Sequence, residues 1–320
     1  MVAPSLTGPV QMPGTAQCTE FLEQHRLSAH YLDEARRWFM PLAQAIWRRR
    51  QQQDKPLLVA LNGCQGSGKS TLAAWLCSVL QSAGLTTVTV SLDDFYLTHA
   101  QRQTLADGIH PLLATRGVPG SHDTSLMETT LRGLLGRGDP QERTVLVPFF
   151  DKSRDDRTES EHWHRIGAPV DVVIWEGWCL GASAQSAQAL AVPVNDLEVH
   201  EDPQGVWRHY VNRALAMDYQ PLFKLVDYWA MLSAPGFEAV YRWRLEQEQK
   251  LAQQVRGQSA PGLMSAADIQ RFIGFYQRLT EVCLDTLPKR VDWCFRLAET
   301  RQVQSFSQHT RSPCSGKGSH

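Results

Sequence analysis

The chain has 320 residues, 42% hydrophobic and 20% charged, with a net charge of −1 at pH 7. A chain this long can bury a full core without disulfide or metal staples, and its charge balance points away from a nucleic-acid surface or a polybasic membrane arm. No apolar run approaches the ~20 residues of a membrane span, and the N-terminus lacks the basic and apolar stretches of a secretory signal. The seven cysteines, Cys18, Cys64, Cys77, Cys179, Cys283, Cys294 and Cys314, are scattered singly without a C-x-x-C pair. That pattern favours reduced thiols and a cytoplasmic setting over a disulfide framework or a zinc site.

Residues 1–17 are rich in Pro, Gly, Ser and Thr and are expected to be disordered. Residues 28–50 read as an amphipathic helix with Ser28 as N-cap and Leu32, Ala35, Phe39, Leu42, Ala43 and Ile46 at helical spacing. "KPLLVALNG", bounded by Pro56 and Gly63, suits a strand buried on both faces. "STLAAWLCSVLQSAG" puts Leu72, Leu76, Val79, Leu80 and Ala83 on one helical face and stops at Gly84. "TTVTVSL" is a second strand, followed by apolar runs at 144–150, 169–175, 224–232 and 290–297, with helical segments between most of them. Strands alternating with helices predict a parallel sheet covered on both faces. A long helix is expected from about Ser233 to Gln254, and another over 265–284 that opens with a capping-box spacing from Ser265 to Asp268. The tail after about residue 304 has no periodicity and is expected to be disordered.

"GCQGSGKST" fits G-x-x-x-x-G-K-[ST], with Gly63, Gly68, Lys69 and Ser70 at the fixed positions. It follows a predicted strand and opens a predicted helix, the context that distinguishes a phosphate-binding loop from a Gly-rich turn. Gly63, Gly66 and Gly68 let the backbone curl so that its N–H groups point at phosphate oxygens, and the helix N-terminus adds partial positive charge. Lys69 is expected at the β- and γ-phosphates and Ser70 on Mg²⁺, with Gln65, Ser67 and Thr71 completing the nucleotide-binding segment. Cys64 reads as a small loop filler, with a redox switch as the alternative. Glu176, directly after "VVIW", is read as the strand-end acid of the Mg²⁺ site; a helix-capping Glu is the alternative.

"SLDDFYLTH", "RGVPGSHD", "VPFFDKS", "VVIWEGWCLG" and "VYRWRLEQEQKL", with the 265–297 region, resemble the D-glycerate 3-kinase-like family of P-loop kinases, itself similar in fold to phosphoribulokinase, uridine kinase and bacterial pantothenate kinase. The resemblance covers about residues 40–300 and implies a three-layer α/β/α fold with a mostly parallel sheet and a helical lid; with the helical reading above, the expected division is a helical N-terminal extension over 18–54 and a kinase domain over 55–303. It implies Asp93 as the general base, because "DDFY" matches the family's D-x-F-Y, with Tyr96 beside it. Arg116, His122, Asp123, Asp151, Lys152 and Arg157 are implied near the acceptor, and Arg244 as the lid arginine that closes over the phosphates. Asp94 is read as capping, turning or salt-linking the segment that follows, with a substrate or Mg²⁺ role second, since successive strand residues face opposite sides.

The chain departs from the family in "RDDRTESEHW", shorter and lacking the glycines of a stretch that ends Gly-Asp-Arg, and in Phe150 where Tyr is common. Other readings stand beside these. "RGVPGSHD" can be a turn with a capping Asp, Arg242 and Arg244 can be solvated helix charges, and Trp175 and Trp178 can be core or pocket wall. His162 and His164 in "HWH" are expected at the surface or in packing, as no third ligand has suitable spacing.

The expected activity is ATP- and Mg²⁺-dependent phosphoryl transfer to a small hydroxy acid, D-glycerate first, with no nucleic-acid or membrane partner and the oligomeric state open. A same-fold kinase acting on a pantothenate- or nucleoside-like acceptor, and a non-kinase P-loop ATPase, are the alternatives.

Overall fold

The structure is a computed structural model that describes residues 10–139, 141, 143–254 and 265–309. Ten strands lie among them: β1 Leu57–Gly63, β2 Thr87–Ser91, β3 Thr144–Val147, β4 Phe150–Asp151, β5 Asp156–Arg157, β6 His164–Gly167, β7 Val172–Gly177, β8 Tyr228–Ser233, β9 Trp293–Leu297 and β10 Val303–Gln308. Six of them form one sheet in the order β10-β9-β8-β1-β7-β2. Its pairings are parallel except for β10 against β9.

The continuous apolar runs explain the centre of this sheet. Every residue of β1, β7 and β8 is buried. Because side chains alternate across a strand, Leu57, Val59 and Leu61 enter one core while Leu58 and Ala60 enter the other. The first core is closed by the helix Lys69–Ser82 and by Phe39, Leu42 and Ile46 of the N-terminal helices. The second is closed by Met127 and Leu131 of the helix Thr124–Leu134 and by Phe275, Tyr276 and Leu279 of the helix Ala266–Thr286. The result is the expected α/β/α sandwich with a mostly parallel sheet.

The run at 144–150 departs from the expectation. It does not join the main sheet: β3 pairs antiparallel with β6, and β4 with β5, in two small ribbons. Pro148 ends β3 after four residues, and β3 buries only one face, with Thr144 exposed and Val145 and Val147 buried. Such a half-buried ribbon is typical of an antiparallel pair.

The N-terminal helix is also interrupted. His30–Glu34 passes through a π turn at Ala35–Phe39 into Met40–Gln51, with no side-chain cap at its start. A second π turn, Leu215–Tyr219, stands before Gln220–Phe223. Each π turn runs directly into an X-Pro pair, at Pro41 and Pro221. Proline supplies no N–H and crowds the carbonyl four residues back, and the wider turn relieves both.

Both ends are more ordered than their composition suggests. Val10 is buried and Thr15–His25 is a helix whose Phe21 packs edge-on against Trp75. Residues 304–308, expected to be disordered, belong to β10, and Phe306 stacks on Trp293 with ring centres 5.6 Å apart and meets Trp38 at 5.9 Å. Residues 1–9 and 310–320, with Cys314, lie outside the described residues. Among those residues no helix is long and apolar enough to cross a membrane.

Because Phe306 ties the last strand to the N-terminal helices, Phe306→Ala should cost about 1–3 kcal/mol and lower the melting temperature by several degrees. Thermal melts check this; an unchanged melting temperature would mean that the strand contributes nothing to the fold.

Candidate active site

Parallel pairing of β1 with β7 sets Leu61 against Glu176 and Asn62 against Gly177. The two strands therefore end together, and the loop that leaves β1 faces the acid that ends β7. Asn62 locks this corner by donating to the carbonyls of Trp178 at 3.1 Å and Leu180 at 2.8 Å.

The loop Gly63–Ser70 curls tightly. A Cβ on Gly63 would lie 2.6 Å from Ser67 Oγ, and Gly68 has φ +88°, in the left-handed region that glycine enters without strain. Arg301, at the turn between β9 and β10, donates to the Gly66 carbonyl at 3.1 Å and pairs with Glu246 at 2.6 Å. This brace between the phosphate loop and the helix Phe237–Gln254 carries no sequence signature, because Arg301 stands 235 residues from Gly66.

Ser70 and Ser91 both donate to Glu176 Oε1, at 2.8 and 3.1 Å. The other carboxylate oxygen, Oε2, is buried without a hydrogen-bond partner and lies 3.8 Å from Lys69 Nζ. Glu176 sits inside β7 and caps no helix. A hard oxygen donor held this way, beside a serine hydroxyl, suits a divalent cation. Burial works against the Lys69 charge, but Glu176 and Asp93 outweigh it and its pKa stands raised. The loop lysine is thus kept cationic for phosphate.

The chain leaves β2 at Ser91 and turns through a 3₁₀ turn, Leu92–Phe95. Asp93 and Asp94 diverge because a 3₁₀ turn rotates by about 120° per residue, rather than because they alternate along a strand. Asp93 accepts from Tyr96 Oη at 3.0 Å and from Lys152 Nζ at 2.7 Å. Burial alone raises its pKa, but Lys152 and Lys69 bring it down to about 2. Asp94 turns away: it accepts the Phe150 N–H at 3.3 Å and lines a cavity of about 420 Å³ with Ser70, Ser91, His164 and Glu176. Burial, with repulsion from Asp93 and Glu176, pushes its pKa up to about 6.

"DFYL" and "GSHD" form a short antiparallel bridge at Tyr96 and His122, flanked by Leu97 N–H to Ser121 O at 2.9 Å and Asp123 N–H to Phe95 O at 2.7 Å. His122 stacks on Tyr96 with ring centres 4.5 Å apart. Tyr219 Oη accepts the Gly120 N–H at 3.2 Å and shares a hydrogen bond with His122 Nδ1 at 2.5 Å. Burial holds the His122 pKa down at about 3, so the ring is neutral, and its Nε2 is buried without a partner. Asp123 caps the helix Thr124–Leu134 through the Leu126 N–H at 3.0 Å and also pairs with Arg157 at 3.1 Å. The turn reading with a capping Asp therefore describes this segment, and the Arg157 pair is a further contact of the same carboxylate.

Arg116 pairs with Asp155 and lies 5.4 Å above the Phe150 ring, which in turn meets Tyr96 at 5.2 Å. Asp151 spends its carboxylate on its own turn, accepting from Ser153 N and Oγ at 2.9 and 2.6 Å. On the helix Phe237–Gln254, Arg242 is exposed and bound to Glu299 at 2.7 Å. Arg244 turns the other way, over the Phe272 ring at 5.5 Å and within electrostatic reach of Tyr276, whose pKa burial holds raised against the pull of Arg116 and Arg244. Gln65 and Ser67 lie within the loop, each with a buried side-chain oxygen lacking a partner, and Thr71 is on the first turn of the following helix. Cys64 is buried and its pKa is pushed to about 12, which leaves the thiol protonated and chemically quiet. His162 and His164 are exposed. Among the described residues no group of three His, Cys, Asp or Glu could hold a metal. Arg301, Ser91, Tyr219 and Asp155 belong to the site and were not singled out by the sequence. Ser91 opens "SLDDFYLTH" and Asp155 lies in "RDDRTESEHW", so both stood within quoted segments without a role being read for them.

A buried lysine and acid at the mouths of paired parallel strands, with an ionised aspartate across from them, are the working parts of a P-loop kinase that phosphorylates a small molecule. Comparison with known proteins narrows the class. The chain is 34% identical to the uncharacterized kinase mug58 of Schizosaccharomyces pombe over 248 residues, 75% of its own length and 85% of that protein's. It is 32% identical to the chloroplastic D-glycerate 3-kinase of Arabidopsis thaliana over 239 residues, 72% of this chain and 48% of the plant protein. The solved D-glycerate 3-kinase from Cryptococcus neoformans superposes with a TM-score of 0.68 at 25% identity, over 83% of this chain and 96% of that one. No profile of a known protein family matches the chain. The chain belongs to the D-glycerate 3-kinase-like family of P-loop kinases.

The two aspartates make a pH prediction. Asp94 keeps its proton in the folded protein up to about pH 6, whereas an unfolded aspartate loses it near pH 4. Its contribution to stability is therefore present below about pH 4 and is lost as the pH rises to 6. Asp94→Asn, which keeps an acceptor for the Phe150 N–H, should gain melting temperature over wild type progressively from pH 4 to 7 in Mg²⁺-free buffer. Melting curves across that range check it; a constant difference would contradict the assignment.

Proposed function

We propose that the protein transfers the γ-phosphoryl group of ATP to a hydroxyl of a small hydroxy acid, with D-glycerate as the acceptor and 3-phosphoglycerate as the product. The observation that carries this reading is the placement of Asp93: an ionised carboxylate that shares the field of Lys69 and bonds Lys152 and Tyr96, with Arg116 within electrostatic reach of that tyrosine. Relatives named as D-glycerate 3-kinases supply the choice of acceptor.

The loop N–H groups and Lys69 hold the β- and γ-phosphates, and the helix Lys69–Ser82 directs its N-terminus at them. Ser70 and Glu176 would hold Mg²⁺, which neutralises charge on the transferring group when bound. Asp93 receives the acceptor hydroxyl, and the acceptor displaces Lys152 from the carboxylate. Loss of that ammonium removes the largest influence holding the Asp93 pKa down, so the aspartate becomes a better base once the acceptor is seated. The hydroxyl proton passes to Asp93 as the oxygen bonds to phosphorus and ADP leaves. In a loose transition state this proton moves late, and orientation matters more than basicity.

A guanidinium suits a planar carboxylate, and Arg116 would take that of the acceptor. Arg244, on the helix face turned toward Tyr276, is the arginine that would approach the phosphates. Free thiols at Cys18, Cys64, Cys77, Cys179, Cys283 and Cys294 suit the reducing cytoplasm.

The test is phosphate transfer from labelled ATP to a panel of D-glycerate, other small hydroxy acids, pantothenate and uridine, with the product identified. The reading predicts ADP release that depends on D-glycerate and a phosphoester at the primary hydroxyl. ADP released at one slow rate whatever the acceptor would overturn it, and a stronger response to pantothenate or uridine would move the activity to another acceptor.

A further inference from the structure

The Lys152–Asp155 tip of the β4–β5 hairpin reaches into the acceptor region from outside the main sheet. Two of its side chains meet the groups assigned to the acceptor: Lys152 sits on Asp93, and Asp155 sits on Arg116. Asp155 is held firmly. Arg102, only 1% exposed, donates to its carbonyl at 2.6 Å and to its carboxylate at 3.0 Å. The same guanidinium is also spent on the carbonyls of Leu97 and Ala114, at 3.2 and 2.7 Å. Arg102 is therefore a fixed anchor, while Arg116 remains partly open to solvent at 27%.

The backbone at Asp155 has φ +53°, in the left-handed region that glycine, asparagine and aspartate enter most readily. A carboxylate is thus kept between two arginines, beside the proposed acceptor site. Arg102 and Arg116 carry two positive charges and Asp155 carries one negative, which leaves one positive charge for the acceptor. A neutral residue at 155 would leave two.

We propose that Asp155 sets the charge class of the acceptor, admitting hydroxy acids with one carboxylate and repelling those with a second negative charge. It acts by placing a like charge against the unwanted ligand, the repulsive half of specificity. Asp155 is a specificity residue, not a catalytic one, because it acts through Arg116 and through repulsion. The inference rests on the reading of the acceptor as a small hydroxy acid bound by Arg116.

Calorimetric titration of the ADP-loaded enzyme with D-glycerate and with tartronate, a hydroxylated dianion, tests this without needing turnover. Wild type should bind D-glycerate more tightly than tartronate. In Asp155→Asn and Asp155→Gly, both compatible with the left-handed backbone, the tartronate Kd should fall by about tenfold or more while the D-glycerate Kd moves by less than about threefold. A purely structural role for Asp155 would shift both ligands together, and an unchanged Kd ratio in the two variants overturns the proposal. So does a wild type without preference for the monoanion. Failure of the acceptor reading itself shows separately, as a wild type that binds D-glycerate but does not phosphorylate it.

Discussion

The register between β1 and β7 is the constraint on which the site depends. Because Leu61 is paired with Glu176, the phosphate loop and the strand-end acid emerge at the same level, and Lys69 comes within 3.8 Å of the Glu176 carboxylate. A shift of one residue would turn Glu176 to the opposite face and bury an uncompensated charge, which costs several kcal/mol. Full burial on both faces of β1 and β7 makes such a slip prohibitive. The apolar character of the central strands is therefore also what fixes the catalytic geometry.

Around that corner the charges are arranged in alternation. Lys69 is flanked by Glu176 and Asp93, Asp93 by Lys69 and Lys152, Arg116 by Asp155, and Arg157 by Asp123. Each buried or half-buried charge has a partner that stabilises it in the absence of ligand. In the proposed mechanism an acceptor and a nucleotide would enter by exchange, the acceptor hydroxyl replacing Lys152 and phosphate oxygens sharing Lys69. Exchange of this kind keeps the empty site stable and lets ligands bring their own charge as the switch. The two small ribbons, β3–β6 and β4–β5, deliver Lys152 and Asp155 to this region without disturbing the main sheet.

Much of this was legible in the sequence. The buried strands, the phosphate loop and the two capped or Gly-terminated helices follow from local rules: an uninterrupted apolar run, a Gly at a left-handed position, and the Ser265–Asp268 capping box, which the structure forms with both bonds. The resemblance drew attention to Asp93, Arg116, His122 and Lys152, which the fold does bring into one neighbourhood. What was hidden depends on long-range contact. The apolar run at 144–150 looked like a sheet strand because an antiparallel ribbon and a short buried strand share that composition. The order at both termini comes from aromatic packing of Phe21 on Trp75 and of Phe306 on Trp293, which polar neighbours mask. Arg301 and Asp155 act through partners far away in sequence and have no motif.

The central claim is that the two adjacent aspartates divide the work, with Asp93 meeting the acceptor hydroxyl and Asp94 facing the cavity beside Ser70 and Glu176. Single-turnover phosphoryl transfer by Asp93→Asn and Asp94→Asn, each saturated with ATP and D-glycerate, tests it most directly. The account predicts a rate about 10²–10⁴-fold below wild type for Asp93→Asn and within about tenfold of wild type for Asp94→Asn. Equal losses in the two variants would contradict it.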